Sequence, residues 1–263
     1  MKIGVCLKQV PATDTRIRID NPAAGIATGD VKWEINPYDE FALEQGLLLR
    51  DAGTATEVIV FTVGGADSDA RIRDALARGA DRAVRLDDPS FAGSDSLGKA
   101  RILAAALKRE GVSLVLAGKQ AADDDNGQVP SMIAELLDWP QVLVVDRLEV
   151  SASGIKAWRL SSGGARDVVE APLPAVVSCT KGLCEPRYAS LKGIMAAKKK
   201  AVDVVGAGAL GLGAGAVGAG AAVAVETAWS VPTERSKGRM LQGDTNTVVK
   251  ELVRLLREEA KVI

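Results

Sequence analysis

The chain contains no histidine, and this absence excludes several kinds of chemistry at once. A Ser-His-Asp triad, a Cys-His pair and a His-ligated zinc site all require an imidazole ring. Acid–base catalysis near neutral pH would have to use a carboxyl group, a lysine or a cysteine with a shifted pKa. The sequence therefore points away from hydrolases and toward binding or redox chemistry.

Aromatic residues and net charge are also scarce. Aromatics make up 3% of the chain against 47% hydrophobic residues, so the core must consist mainly of Val, Leu, Ile and Ala. The 33 basic and 34 acidic side chains nearly cancel, which leaves no strong field to attract nucleic acid or an anionic membrane. We therefore expect no nucleic-acid partner.

Cysteine is limited to Cys6, Cys179 and Cys184, an odd number that does not resemble a disulfide framework. Cys6 lies in an apolar run and is predicted to be a small buried residue. Without further ligands, Cys179 and Cys184 cannot form a zinc site and are interpreted as thiols near an interface. No secretory signal precedes the first apolar run, so we expect a cytoplasmic location.

Apolar runs and amphipathic segments alternate through the first half of the chain. Strands are predicted at 2–7, 57–63, 82–86 and 113–117, and helices at 37–51, 66–78, 95–109 and from 128 onward. Unbroken apolar strands separated by helices predict an α/β fold with a doubly wound, mostly parallel sheet. Ligands bind such sheets beyond the carboxyl ends of the strands, which directs attention to the loops after Leu7, Val63 and Ala117.

The pattern of predicted strands and helices changes in the second half of the chain. The segments 142–150, 155–160 and 166–171 predict an antiparallel hairpin region, and 173–179 predicts a further strand. An uncharged stretch at 204–225 is long enough to span a bilayer, but it consists mainly of Gly and Ala, which insert weakly. We interpret it as part of a linker over 203–227. The apolar face of a helix at 246–260 predicts a C-terminal arm, 228–263, that docks on a partner.

Two strand-to-helix turns are candidate ligand sites. GKQAADDDNGQV, at 118–129, combines a polar loop with a helix start, which suits a phosphate, although its acids equally fit a helix-capping turn. VGGADS, at 63–68, lets a ligand approach Gly64 and Gly65 closely, or is an ordinary turn. Neither turn carries a dinucleotide or P-loop fingerprint.

Several stretches, taken in order over residues 1–202, resemble the beta subunit of electron-transfer flavoproteins. The most specific are GKQAADDDNGQVPSMIAELLDWPQ and EPRYASLKGIMAAKKK, and KIGVCLKQV and INPYDEFALEQGLLLRD add to them. The resemblance implies a sheet like that of universal stress proteins and adenine-nucleotide hydrolases. It also implies an electron carrier with two cofactors: FAD, held mainly by an alpha subunit, and AMP, held by this chain.

By position, the resemblance places a set of residues around these cofactors. Tyr38 would lie near the flavin at the subunit junction. The residues expected around the nucleotide are Cys6, Asn36, Val63, Gly64, Asp124, Asn126, Gly127, Gln128 and Val129. Gly127 stands where the family commonly has Asn, so an Asn side-chain contact is lost unless the neighbouring Asn126 takes it over. Pro130 replaces a usual Gly, and Leu160 or Ser161 replaces an acidic residue.

The resemblance also implies domain boundaries and binding partners. Residues 1–202 would form the nucleotide-binding domain, including a partner-recognition loop at 185–200. In that loop Leu191 would be the apolar anchor for acyl-CoA or other flavoprotein dehydrogenases, beside Lys198, Lys199 and Lys200. Electrons would then pass to an electron-transfer flavoprotein-quinone oxidoreductase or a similar acceptor, with no direct membrane insertion.

Three alternatives stay open. The chain could hold a second FAD in place of AMP, as electron-bifurcating members do, although Asp123-Asp124-Asp125 favours AMP. VGGADS is close to the SGGxDS motif of ATP pyrophosphatases, but its leading Ser is missing. A nucleotide-sensing module of related fold would bind ATP as a homodimer without any flavin.

Overall fold

The computed structural model of the chain describes residues 1–213, 215–233 and 238–263. It divides into two compact units, Met1–Trp229 and Ser230–Ile263. The strands are β1 (Lys2–Cys6), β2 (Gln9–Pro11), β3 (Trp33–Ile35), β4 (Glu57–Val63), β5 (Arg82–Leu86), β6 (Leu114–Gly118), β7 (Gln141–Ser151), β8 (Gly154–Leu160), β9 (Arg166–Ala171), β10 (Ala175–Cys179) and β11 (Val202–Val205). The helices are α1 (Pro37–Asp51), α2 (Asp69–Arg78), α3 (Ser96–Arg109), α4 (Val129–Leu137), α5 (Leu191–Ala197) and α6 (Thr245–Glu258).

The first unit is built on one large sheet. Within the described residues this sheet has nine strands, in the order β11-β5-β4-β1-β6-β10-β7-β8-β9. β1 lies inside the sheet and pairs in parallel with β4 on one side and β6 on the other. The register aligns Cys6 with Phe61 and Val5 with Leu116, so the carboxyl ends of the three strands lie at the same edge. The predicted mostly parallel sheet is confirmed.

Helices cover both faces of the sheet because its inner strands carry apolar side chains on both sides. On one face, Val5 shares a buried cluster with Leu47 of α1 and Leu76 of α2. On the opposite face, Phe61 of β4 shares a second cluster with Leu107 of α3. The two clusters correspond to the two layers of helices that a doubly wound fold requires.

The antiparallel region is also confirmed. β8 pairs with β7 and with β9, and Ala157 lies opposite Leu148 on one side and Val169 on the other. On its other side, β7 pairs in parallel with β10. Strands β2 and β3 form a separate antiparallel ribbon directly after β1, in which Gln9 lies opposite Ile35.

A linker is predicted at 203–227, but in the structure the first part of this segment packs against the sheet. β11 joins the sheet edge in parallel with β5, and Val205 is only 4% exposed. Val217 is buried in the same cluster as Phe91, while Ala214 lies outside the described residues. Small side chains let this segment lie close to the rest of the unit: the amide of Ala219 donates to the carbonyl of Ala92 at 3.0 Å, and a Cβ at Gly93 would collide with Ala219. In the described part of the chain, no helix has both the length and the apolar character to cross a bilayer.

The second unit contains the predicted C-terminal helix. Asp244 caps α6 by accepting hydrogen bonds from the backbone amides of Asn246 and Thr247, at 3.0 and 3.1 Å. The apolar side chains of Val249 and Leu252 on this helix are exposed. Docking of this arm on a partner remains a prediction.

The packed position of β11 can be tested by stability. We expect Val205→Ala to lower the free energy of unfolding by about 2 kcal/mol, because it removes buried methyl groups and leaves a cavity. Val204→Ala is the matched control, since Val204 is the preceding residue of the same strand and is 57% exposed. Chemical denaturation of both variants checks this. Equal and negligible effects, within about 0.5 kcal/mol, would mean that this segment is a linker after all.

Candidate functional site

A cleft of about 270 Å³ opens where β1, β4 and β6 end. From β1 the chain adds β4 and β5 in one direction and then returns to add β6 on the other side. The direction of winding therefore reverses between β1 and β6. Open α/β sheets bind their ligands in the crevice that such a reversal leaves.

The cleft brings together the residues that the resemblance assigned to the nucleotide, although their contacts with a ligand remain predictions. The predicted residues that line it are Cys6, Asn36, Val63, Gly64, Asp124, Asn126, Gly127, Gln128 and Val129. Tyr38 is not among the described residues that line it. The ring of Tyr38 instead lies beneath the ammonium group of Lys119, 4.9 Å from the ring centroid.

Asn36 holds the loop that forms one wall of the cleft. Its side-chain amide donates to the carbonyl of Gln120 at 2.9 Å, and its side-chain oxygen accepts from the amide of Ala122 at 3.1 Å. It occupies the N-cap position of α1, as predicted, but its side chain makes no capping hydrogen bond there. The side chain fixes the loop rather than the helix.

The start of α4 forms another part of the wall. Gln128 is its N-cap and makes no side-chain capping bond, so side chains leave the amide of Val129 free for an anion, while Pro130 has no N–H group to offer. Gly127, just before it, has a φ of +61°. Asn is the other residue that enters this left-handed region readily, which accounts physically for Gly127 at a position where the family commonly has Asn.

Lys8 is a cleft residue that the sequence interpretation missed. Its ammonium group lies 2.7 Å from a carboxylate oxygen of Asp123 and 2.9 Å from one of Asp124. Burial lowers the pKa of Lys8, but the bonds to the two carboxylates outweigh it and raise the pKa above its usual value. Lys8 therefore links the loop after β1 to the loop after β6 across the cleft.

Asp39 was missed as well, and it is almost fully buried. One carboxylate oxygen accepts from the amide of Lys8 at 2.7 Å, and the other accepts from the amide of Gly118 at 2.9 Å. A Cβ at position 118 would collide with this carboxylate, so Gly118 is required for the contact. Burial raises the pKa of Asp39 to about 7, although the hydrogen bonds that it accepts oppose the shift.

The predicted recognition loop presents an exposed apolar group. Leu191, at the start of α5, is 78% exposed, and Lys198 and Lys199 extend into solvent. Lys200 is placed differently. Its ammonium group donates to the carbonyls of Leu76 at 3.1 Å and Ala80 at 2.5 Å, where it holds the end of α2.

A half-buried ion pair fixes the chain within this loop, ahead of Leu191. Arg187 donates to both carboxylate oxygens of Glu44 at 2.9 Å and to Asp51 at 2.9 Å. Glu44 is buried on α1, so the pair ties the loop to the helix that also forms the cleft. Neither charge stands out in the sequence, because each lies in a segment that contains several others.

Within the described residues, the cysteines are unpaired and the acids do not cluster as metal ligands. Cys6, Cys179 and Cys184 are free thiols, with Cys6 and Cys179 buried. Across the part of the chain that the structure describes, no cluster of three or more Cys, Asp or Glu side chains could hold a metal ion.

Comparison with known families gives this cleft its context. A family model described as the electron transfer flavoprotein domain matches residues 24–210, which is more than half of the chain. The chain belongs to the electron transfer flavoprotein family. An electron-transfer role and an alpha-subunit partner follow from membership among its beta subunits.

Curated relatives support this membership. The electron transfer flavoprotein subunit beta of Bradyrhizobium diazoefficiens is 39% identical over 77% of this chain and 80% of its own length. The subunit beta of Bacillus subtilis is 35% identical, with both chains fully covered. A subunit of the caffeyl-CoA reductase-Etf complex of Acetobacterium woodii is 36% identical over 98% of this chain and 99% of its own. The similarity thus extends beyond the matched domain to the C-terminal arm.

The raised pKa of Asp39 predicts a pH-dependent contribution to stability. The folded pKa of about 7 lies above the reference value of 3.8, so the folded state binds the proton more tightly than the unfolded state. The contribution is fully present below the unfolded pKa and is lost as the pH rises through about 7. We expect the stability of the wild type, measured relative to Asp39→Asn, to increase as the pH falls from about 8 to about 5. Urea denaturation of both full chains across this range checks it, and a constant difference would contradict the burial of a titrating carboxyl group.

Proposed function

We propose that the chain is the beta subunit of a heterodimeric electron-transfer flavoprotein that binds AMP in the cleft and shares one FAD with the alpha subunit. The complex carries electrons from acyl-CoA or other flavoprotein dehydrogenases to a quinone oxidoreductase or a similar acceptor. The observation that carries the proposal is the convergence of the expected nucleotide residues in one cleft at the reversal point of the sheet.

The lining of the cleft suits an adenine nucleotide. Val63, Leu103 and Ala117 offer an apolar surface for a planar base. The uncapped start of α4 offers a backbone amide to a phosphate, and the half-buried Lys99 adds a positive charge to the lining. Because Lys8 already pairs with Asp123 and Asp124, these loop acids are partly neutralised and do not repel an anion as strongly as the sequence suggests.

The size of the cleft favours AMP over a second FAD. Its volume of about 270 Å³ lies near the lower end of the range of ligand pockets, about 300–1,000 Å³. A mononucleotide fits that volume better than a flavin dinucleotide does. We therefore propose one flavin per complex, held mainly by the alpha subunit.

The chain positions the redox cofactor, and the flavin supplies the one- and two-electron chemistry when bound. Tyr38 is the residue of this chain that we place beside the flavin, at the start of α1 and outside the cleft. No side chain here needs to act as an acid or a base, which agrees with the absence of histidine. Three free thiols fit a reducing, cytoplasmic compartment.

The exposed segment around Leu191 is the proposed contact for dehydrogenases. An apolar anchor beside Lys198 and Lys199 combines a small desolvated contact with electrostatic steering toward an acidic partner. Such a contact forms fast and is short-lived, as an electron carrier requires.

The cofactor proposal is tested on the complex purified with its alpha subunit. We expect denaturation to release AMP and FAD in equal amounts, whereas two FAD per complex would indicate the bifurcating alternative. A colourless complex without flavin would contradict the proposal.

We expect Asn36→Ala to lower the AMP content of the complex, because it frees the loop that Asn36 holds. Asn21→Ala is the control, since Asn21 caps a surface turn away from the cleft.

The docking proposal is tested by removing charge. We expect the double variant Lys198→Gln and Lys199→Gln to slow association with a dehydrogenase at low salt by about tenfold, without a change in stability. Lys200→Gln is the contrasting variant, because that ammonium group holds the end of α2. It should lower the free energy of unfolding by about 1–2 kcal/mol instead. Stopped-flow electron transfer and chemical denaturation measure the two effects. Unchanged association kinetics in the double variant would remove these lysines from the docking surface.

A further inference from the structure

Asp39 is the buried carboxyl group at the base of the cleft, and it links two loops that are distant in sequence. Lys8 belongs to the loop after β1, and Gly118 ends β6. Each oxygen of the carboxylate accepts one backbone amide, at 2.7 Å from Lys8 and 2.9 Å from Gly118. Asp39 itself belongs to neither loop, because it lies in the first turn of α1.

This geometry uses both oxygens of an ionised carboxylate, one toward each of two walls of one crevice. An ionised carboxyl group offers two acceptor oxygens, whereas a protonated one turns one oxygen into a donor. Both bonded groups are amide N–H donors, so a protonated carboxyl group satisfies only one of them well. A buried N–H group that loses its acceptor is costly, so the loop that carries it is released.

We propose that Asp39 is a positioning residue that holds the two loops at the separation that retains the nucleotide, and that its protonation loosens the cleft. The proposal rests on nucleotide binding in this cleft. Asp39 would act on the nucleotide through the backbone of Lys8 and Gly118 rather than by direct contact. Retention of the nucleotide would then depend on pH.

The titratable groups that face Asp39 keep the same charge between about pH 5 and about pH 8. Asp39 is therefore the group in this cluster whose charge changes in that range. Cys6 on β1 and Cys179 on β10 are thiols whose pKa burial raises above the usual range, so both stay neutral. Lys8 has a raised pKa and stays charged. The pKa of Asp39, raised by burial to about 7, lies inside that window.

Two properties therefore change in opposite directions as the pH falls. Protonation of a buried carboxyl group favours the folded state over the unfolded one, so the Asp39 contribution to stability rises. The same protonation weakens the link between the loops, so the nucleotide leaves faster. A residue with a merely structural role would change stability and retention in the same direction.

The test compares the wild type with Asp39→Asn and Asp81→Asn, each purified as the complex with its alpha subunit. An amide, like a protonated carboxyl group, has one acceptor oxygen. Asp81 is the matched control, because its carboxylate accepts the backbone amide of Val58 at 2.8 Å near the start of β4, at the opposite edge of the sheet from the cleft. Release of radiolabelled AMP is measured between about pH 8 and about pH 5.5.

We expect AMP release from the wild type to accelerate about tenfold as the pH falls through this range. Asp39→Asn should release AMP rapidly at every pH, and Asp81→Asn should follow the wild type. Equal release from Asp39→Asn and the wild type at each pH would overturn the proposal.

A second measurement separates this proposal from the proposed function. Hydrogen exchange of the Lys8 and Gly118 amides is followed in the nucleotide-free full chain at about pH 8. Asp39→Asn should speed exchange at one or both of these amides, because its single acceptor oxygen satisfies only one of them well, and Asp81→Asn should change neither. If no complex retains AMP, nucleotide binding fails while the exchange result still decides whether Asp39 links the loops. Unchanged exchange in Asp39→Asn overturns that link.

Discussion

The parallel pairing of β1 between β4 and β6 is the constraint on which the rest of the structure depends. It brings three carboxyl ends to one edge and makes the chain reverse its winding beside β1. Loops that are more than a hundred residues apart in sequence thereby become the walls of one cleft. The pairing itself follows from unbroken apolar strands, which are stable only when both faces are covered by helices.

Helix α1 turns this arrangement into a defined site because it buries polar side chains as well as apolar ones. Asn36 fixes the loop before α4, and Asp39 joins that wall to the loop after β1. One and a half turns further along, Glu44 pairs with Arg187 and fixes the chain before the exposed Leu191. A single helix therefore supports both the cleft and the proposed docking segment. Asn36, Asp39 and Glu44 each have hydrogen-bond partners, as burial of a polar group requires.

The sequence predicted the features that depend on local pattern or on family position. Apolar runs predicted the parallel sheet, and the loop at 118–129 was identified as a wall of the cleft. Asp39 and Lys8 were missed because their roles depend on which backbone amides and carboxylates the fold brings near them. In the sequence, Asp39 looks like an ordinary acid in the first turn of a helix. Composition did not predict that β11 pairs with β5 or that Val217 is buried, because small residues that suit a linker equally suit close packing on a sheet edge.

We propose that the crevice beside β1 holds an adenosine group that helps seat a flavin shared with the alpha subunit. The most direct test is an experimental structure of the purified complex. We expect density for an adenine nucleotide between the loop after β1 and the start of α4, with its phosphate beside the amide of Val129. A cleft that is filled by side chains of the alpha subunit, or a complex with no nucleotide in it, would contradict this proposal.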